Sequence, residues 1–327
     1  MPLKRKAPFA NLHPDRVLNC VEQALGRDFQ NICRPHSSYI NRVFEVQDHQ
    51  GDFFVAKFYR PGRWSEAALV EEHDFVNQCA GQEIPVVPSL QLANGTWIER
   101  YDDMFFTLSA KCGGRIVDEY TEEQLLELGR LIGRVHLVGQ SDGAANRPVI
   151  HPLRNTSNQI RFITELKIIH PQLEKEFLTI AETIIETIAP CFNESEFIRI
   201  HGDCHMANLI HRPGESFYLI DFDDMAVGPP VQDLWMLLPG ELDESGYELE
   251  LLLEGYETFK PFNRGSLKLI EPLRAMRYLH YISWCGWQYV EDGQTMISDS
   301  FGSYEYWQKE IGDLKDQLNV IREKVVC

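Results

Sequence analysis

The sequence predicts an α+β fold in two lobes, and three observations carry that prediction. Strand signals crowd the stretch from about residue 40 to 110, helical periodicity takes over after Gly113-Gly114, and 327 residues are too many for one simple core. A small β-rich lobe over residues 1–110 and a larger helical lobe over residues 111–327 follow.

Taken in order, RVFEVQ, the turn DHQG and DFFVAKFY read as a hairpin around Lys57. SEAALVEEHDFVNQCA then carries helical spacing at Leu69, His73 and Val76. LQLA and TWIER flank Asn94-Gly95, a tight-turn signal, and MFFTLSA supplies a further strand. Past the two glycines, Thr121-Glu122-Glu123-Gln124 forms a capping-box pattern ahead of Leu125, Leu128, Ile132 and Val135 on one helical face. Leu173, Phe177, Ile180, Ile184 and Ile188 mark a second helix. Leu273, Met276, Leu279 and Ile282 mark a third, with Pro272 near its start.

Composition narrows the function. With 31 basic and 49 acidic residues the formal charge is −18, which argues against nucleic acid as the main partner, since phosphate-backbone binding needs clustered Lys and Arg. The eight cysteines are scattered without a CxxC pair, the pattern of free thiols in a reducing compartment. MPLKRKAPFANL is basic but leads into no apolar stretch of roughly 7–15 residues, so no secretory signal is expected, and no run suits a membrane span. The reading is a cytoplasmic enzyme, with no membrane partner, acting as a monomer.

The chemistry centres on His201-Gly202-Asp203-Cys204-His205-Met206-Ala207-Asn208. Phosphoryl transfer needs a positioned nucleophile, Mg²⁺ on hard oxygen ligands and a cation on the nucleotide phosphates. Asn208 directly precedes Leu209-Ile210-His211-Arg212, and Asp221 directly follows Phe217-Tyr218-Leu219-Ile220, with Pro213-Gly214-Glu215-Ser216 between. If the two apolar stretches pair as a hairpin, Asn208 and Asp221 lie side by side and can share one cation. Asp203 then falls on the preceding loop, placed to take or orient the proton of an acceptor hydroxyl. Either residue alone would read as an ordinary turn residue. Zinc binding by His201, Cys204 and His205 is the weaker reading, because zinc sites usually repeat a paired spacing.

HGDCHMAN followed by IDFDDMAVGPPVQDLWMLL resembles the aminoglycoside phosphotransferase-like branch of the protein-kinase superfamily. SSYINRVFEV, VAKFYRPGRW, EEHDFV and EPLRAMR extend the likeness over most of the chain, to the stress-response kinase A family of bacterial Ser/Thr protein kinases. The resemblance implies a bilobal protein-kinase-like fold, ATP and Mg²⁺ as cofactors, and a protein Ser or Thr as acceptor. It implies that Asp203 is the catalytic base, that Asn208 and Asp221 bind Mg²⁺, and that Lys57 grips the nucleotide phosphates with Glu72, rather than Glu71, as its ion-pair partner. His201 is expected to buttress the loop, Cys204 to be a packed thiol, and Phe105 to Ala110 to form the last strand of the small lobe and the hinge.

Two features depart from ordinary protein kinases. RPHSSYINRVF holds no glycine where a GxGxxG loop would cover the phosphates, so Ser38 and its neighbours are expected at ATP, with Arg42 less so. Asp221-Phe222-Asp223 replaces Asp-Phe-Gly, and Asp223 is expected to be solvated rather than to add a metal oxygen. Asp233 is expected at a helix start, in structural support. A small-molecule kinase acting on an amino alcohol, sugar or antibiotic, and a nucleotide-binding pseudokinase, are the competing functions.

Overall fold

The structure, a computed structural model, describes residues 9–292 and 300–325. Five antiparallel strands form the first sheet, β1 (Phe29–His36), β2 (Arg42–Asp48), β3 (Phe53–Phe58), β4 (Ile98–Tyr101) and β5 (Met104–Ala110), in the order β1-β2-β3-β5-β4. The β2–β3 hairpin forms as predicted, with Val43 opposite Lys57 and Glu45 opposite Val55. Its turn is closed by Asp48, whose carboxylate accepts from the Gln50 and Asp52 amides at 2.9 Å each.

Helix α1 (Pro14–Leu25) starts on a proline and stops at Gly26, which takes φ +65°. It lays Val17, Leu18, Val21 and Ala24 on the sheet face made by Phe29, Phe44, Val46, Phe54, Phe58 and Leu108. Helix α2 (Glu66–Gly81) follows β3, capped by the Ser65 hydroxyl on the Ala68 amide.

One expectation changes here. Asn94-Gly95 does form a turn, Gly95 at φ +81° and the Leu92 amide bonded to the Thr96 carbonyl at 2.8 Å, but LQLA is not a strand. The Ile98–Tyr101 strand turns at Asp102, φ +55°, and pairs with Met104–Thr107 instead. The edge of β5 is shared: β4 pairs along Met104–Thr107, and the start of LQLA meets it as an isolated bridge, with Ser89 opposite Ser109 and the Leu90 amide on the Leu108 carbonyl at 2.8 Å.

The rest of the chain is mostly helical: α3 (Glu122–Gly139), α4 (Ser157–Glu165), α5 (Glu174–Ile188), α6 (Gln232–Trp235), α7 (Gly246–Glu257), α8 (Ile270–Asp292) and α9 (Tyr304–Lys324). The predicted capping box closes α3: Thr121 and Gln124 exchange side-chain and backbone bonds. Helices α3 and α7 approach to backbone contact, because a Cβ at Gly129 would stand 2.0 Å from the Leu252 carbonyl and one at Gly255 2.1 Å from the Leu126 carbonyl. A second core runs through these helices and reaches Phe75, Val76 and Cys79 of α2, so α2 joins the two lobes. Four short strands lie between α5 and α6: β6 (Ile198–Ile200) pairs with β9 (Ala226–Gly228), and β7 (Leu209–His211) with β8 (Phe217–Leu219). Among the described residues no helix is long and apolar enough to cross a membrane. Among the described residues six cysteines are free, as expected, but Cys191 is disulfide-bonded, so free thiols are not the rule throughout.

Candidate active site

The loop after β6 is held from beneath by a buried carboxylate. Asp233 Oδ2 accepts from the His201 amide at 2.7 Å, and Oδ1 from the Gly202 amide at 2.8 Å. His136 Nε2 lies 3.0 Å from Oδ2 on the far side. Asp233 sits in α6, as expected, yet its oxygens satisfy amides about thirty positions away rather than those of its own helix. Gly202, at φ +87°, is required: a Cβ there would lie 2.2 Å from the Asp224 carbonyl. His201 Nε2 donates to the Ile220 carbonyl at 2.8 Å, which leaves Nδ1 to accept from the Asp203 amide at 3.3 Å. The ring also rests 4.6 Å from Phe222, so His201 buttresses the loop as anticipated. Cys204 is fully buried, and burial raises its thiol pKa well above the ordinary value. His201, Cys204 and His205 therefore have three separate jobs and do not converge as zinc ligands.

The β7–β8 hairpin has the expected register, Leu209 opposite Leu219, and the Ile220 amide bonds the Asn208 carbonyl at 3.0 Å. Asn208 and Asp221 are thereby neighbours across the hairpin. Asn208 is buried and donates Nδ2 to the Asp203 carbonyl at 2.9 Å, which fixes the amide and turns Oδ1 away from that bond. Asp221 stands at φ +60°, a left-handed conformation that aspartate tolerates better than most residues, with its side chain half exposed. Two hard oxygen donors beside an accessible space fit a Mg²⁺-type cation whose other ligands are phosphate oxygens and water. Among the described residues no group of three or more His, Cys, Asp or Glu side chains could hold a metal ion by itself.

Lys57 projects from β3 into this corner. Its Nζ is 2.6 Å from Asp221 Oδ1 and 3.6 Å from Asp223 Oδ1. Burial opposes the ammonium, but Asp221, Asp223 and the more distant Glu72 outweigh it, and the Lys57 pKa lies above the usual lysine value. The expected Lys57–Glu72 contact is replaced by these two aspartates. Glu72 does point inward while Glu71 turns out to the Asn146 amide at 2.9 Å, so Glu72 is the inner of the two. It accepts from the Tyr59 hydroxyl at 3.1 Å and faces Arg147 Nη1 at 3.5 Å. Burial raises its pKa to about 7 against the pull of Lys57.

Asp223 corrects a second expectation. It is buried, not solvated: Oδ2 lies 2.9 Å from Arg63 Nη1 and 3.3 Å from Asn41 Nδ2. Burial disfavours the carboxylate, but Lys57, Arg63 and Arg147 hold its pKa below the usual range. Its Oδ1 is buried without a hydrogen-bond partner, an oxygen facing the Lys57 corner. Arg147 clamps the segment by donating to the carbonyls of Asp223 and of Met225, the latter at 2.7 Å, while stacking 4.0 Å over Trp64. Nothing in the sequence signals Arg147, an isolated arginine in a loop.

Asp203 meets a guanidinium and an imidazole. Arg277 Nη1, from α8, is 2.9 Å from Oδ1, and His205 Nε2 is 3.2 Å from Oδ2. Burial opposes ionisation of Asp203, yet His205 and Arg277 prevail and keep its pKa below the ordinary aspartate value. EPLRAMR contains Arg277, but its reach to a residue 74 positions earlier has no signature in the sequence. Ser38 lies half-buried in the loop between β1 and β2, and the Tyr39 ring beside it contacts Trp284 of α8 at 6.0 Å. Arg42 bonds the Asn41 carbonyl and packs on Phe9.

A carboxylate, a pair of hard oxygens and a lysine are thus gathered at one lobe junction. Residues 32–270 match the phosphotransferase enzyme family. The chain belongs to this family. Stress response kinase A of Escherichia coli strain K12 is 32% identical over 316 residues, covering 96% of this chain and 95% of the relative. Serine/threonine protein kinase RdoA of Salmonella typhimurium strain LT2 is 31% identical over 317 residues with the same coverage. Within the phosphotransferases the chain therefore groups with stress-response kinase A, and it is a kinase by family. Its two-lobe kinase-like fold is shared with amicoumacin kinase hAmiN in complex with AMP-PNP, Ca²⁺ and Ami, at TM-score 0.75 and 17% identity over 93% of each chain. A microcompartment-associated aminopropanol kinase matches at TM-score 0.68 and 14% identity, over 95% of this chain and 97% of that one. At such identities these two likenesses carry the fold alone.

Proposed function

We propose that the protein is an ATP- and Mg²⁺-dependent Ser/Thr protein kinase of the bacterial stress-response type, working in the cytoplasm. The observation that carries the acceptor class is the 32% identity to a stress response kinase across both lobes, against 14% and 17% for the small-molecule kinases that share the fold.

The residues divide the work. Lys57 leaves Asp221 for the nucleotide phosphates, a trade of one anion for another that keeps the ammonium paired throughout. Asn208 Oδ1 and the freed Asp221 carboxylate would hold Mg²⁺, which would neutralise charge on the phosphate oxygens. Asp223, Arg63 and Arg147 keep the segment after Asp221 in place, so that the Asp221 carboxylate needs little reorganisation. Ser38 and its neighbouring amides approach the phosphates from the β1–β2 loop. Asp203 orients the acceptor hydroxyl and accepts its proton as the oxygen attacks the γ-phosphorus.

Purified protein given ATP labelled in the γ-phosphate, with Mg²⁺, is expected to label a protein acceptor on Ser or Thr. Efficient labelling of a small amino alcohol with no label on any protein would replace the protein-kinase reading by the small-molecule one.

A further inference from the structure

Helix α8 sends one side chain to the base. Arg277 Nη1 holds Asp203 Oδ1 at 2.9 Å and touches the Met236 sulfur at 3.5 Å. Met236 is itself seated: Gln232 Nε2 reaches its sulfur at 3.4 Å and the Gly202 carbonyl at 3.0 Å, and Trp235 Nε1 fixes Gln232 Oε1 at 3.1 Å. The arginine and the backbone of the catalytic loop thus share one support in α6. The phosphate end of the cleft has its own cations in Lys57 and Arg63 and does not need this one.

The two Asp203 oxygens are held differently. Oδ1 makes a charge-assisted hydrogen bond to a guanidinium that stays protonated at any working pH. Among the described residues Oδ2 faces His205, a neighbour on the same loop with a third of its side chain exposed, charged only when protonated. An aspartate carboxyl rotates over a broad, two-fold torsion, so a base of this kind has no fixed proton-accepting direction unless one oxygen is pinned.

We propose that Arg277 is a positioning residue for the acceptor: by pinning Oδ1 it leaves Oδ2 as the oxygen that receives the acceptor hydroxyl, which enters in place of His205. The proposal rests on the reading of Asp203 as the base. In the step it serves, the acceptor oxygen forms a bond to the γ-phosphorus as the bond to the β–γ bridging oxygen breaks. The hydroxyl proton passes to Asp203 Oδ2, and ADP departs with the electron pair of the broken bond.

The test is a kinetic cycle of wild type, Arg277→Ala, Arg277→Lys, Asp203→Asn and the double variant Asp203→Asn/Arg277→Ala, with ATP, Mg²⁺ and whichever hydroxyl acceptor the wild type phosphorylates. Arg277→Ala should keep the melting temperature and the KM for ATP within about two-fold but lower kcat by about 100-fold, the scale of a misplaced catalytic group. Guanidinium ion at millimolar concentration should restore at least about ten-fold of that loss, and Arg277→Lys should lose less than Arg277→Ala, because each returns a cation to Oδ1. The double variant should be no slower than Asp203→Asn. An Arg277→Ala enzyme with wild-type kcat, a loss that guanidinium does not relieve, or full additivity with Asp203→Asn would overturn the proposal while leaving Asp203 as the base. Wild-type turnover by Asp203→Asn would instead remove the base reading, and this proposal with it.

Discussion

The two ends of the cleft are built on different principles. At the phosphate end Lys57, Arg63 and Arg147 interlock with Asp221, Asp223 and Glu72; Arg147, Asp223 and Glu72 are buried and Lys57 and Arg63 partly so. At the acceptor end the Asp203 carboxylate meets Arg277 and His205 among the described residues, all three partly open to solvent. A largely buried, interlocked charge network is costly to disturb and holds one geometry, whereas exposed pairs exchange at little cost. The contrast suits a transferase whose nucleotide is always the same and whose acceptor must come and go. It also says where substitutions should hurt folding and where they should hurt only turnover.

The largest effect should come from Asp221→Ala, which removes the exposed carboxylate that joins the two ends. Phosphoryl transfer should fall by about 10³-fold or more while the melting temperature changes little, since Asp221 is half exposed. A folded Asp221→Ala protein with wild-type turnover would break the comparison at its centre. Lys57→Met should come next, with a fall in kcat/KM for ATP of about 100-fold in steady-state assays and a smaller effect on the KM for the acceptor.

Asp223→Ala tests the buried network by stability. Loss of the carboxylate takes one partner each from Arg63, Lys57 and Asn41, and chemical denaturation should show a cost of about 3–5 kcal/mol, the scale of breaking a buried pair. An equal substitution at the open end, His205→Ala, should cost less than about 1 kcal/mol. Comparable losses at the two positions would erase the distinction.

A smaller effect is set by pH. Burial raises the Glu72 pKa from 4.5 to about 7. The folded state therefore holds a proton that the unfolded chain has released, so the contribution of Glu72 is fully favourable below about 4.5 and declines as pH rises towards about 7. Glu72→Gln should flatten that part of the stability curve, measured as denaturant midpoints across the same window. An unchanged slope would mean that Arg147 and Lys57 keep Glu72 ionised. Ser38→Ala should show the least, a rise of a few-fold in the KM for ATP, because one hydroxyl on a loop shares its task with backbone amides.

These differences also explain what the sequence could show. The Asn208–Asp221 pairing was legible because it depends on a short hairpin whose apolar strands and Pro213-Gly214 turn are contiguous. The α3 capping box was legible for the same local reason. Strand β1 was not, because its bulge and its exposed edge blur the alternation that marks a half-buried strand, and Pro35 argues against one. The family likeness supplied the roles of Lys57 and Glu72 but not their partners: Asp223 brings a second carboxylate to Lys57, and Arg147 arrives from a distant loop to take Glu72. Arg277 and the reach of Asp233 to the loop amides are likewise tertiary facts, made by helices that the chain must fold to bring together.

The proposed protein-kinase activity requires Asp203 to act as a base toward a protein hydroxyl. Transfer of γ-labelled phosphate from ATP in the presence of Mg²⁺, followed by phosphoamino-acid analysis of the labelled protein, tests it most directly when wild type and Asp203→Asn are run side by side. Phosphoserine or phosphothreonine in the wild-type reaction, reduced by about 10²–10⁴-fold in Asp203→Asn with nucleotide binding retained, is the predicted result. Equal labelling by the two proteins, or label found only on a small alcohol, would contradict it.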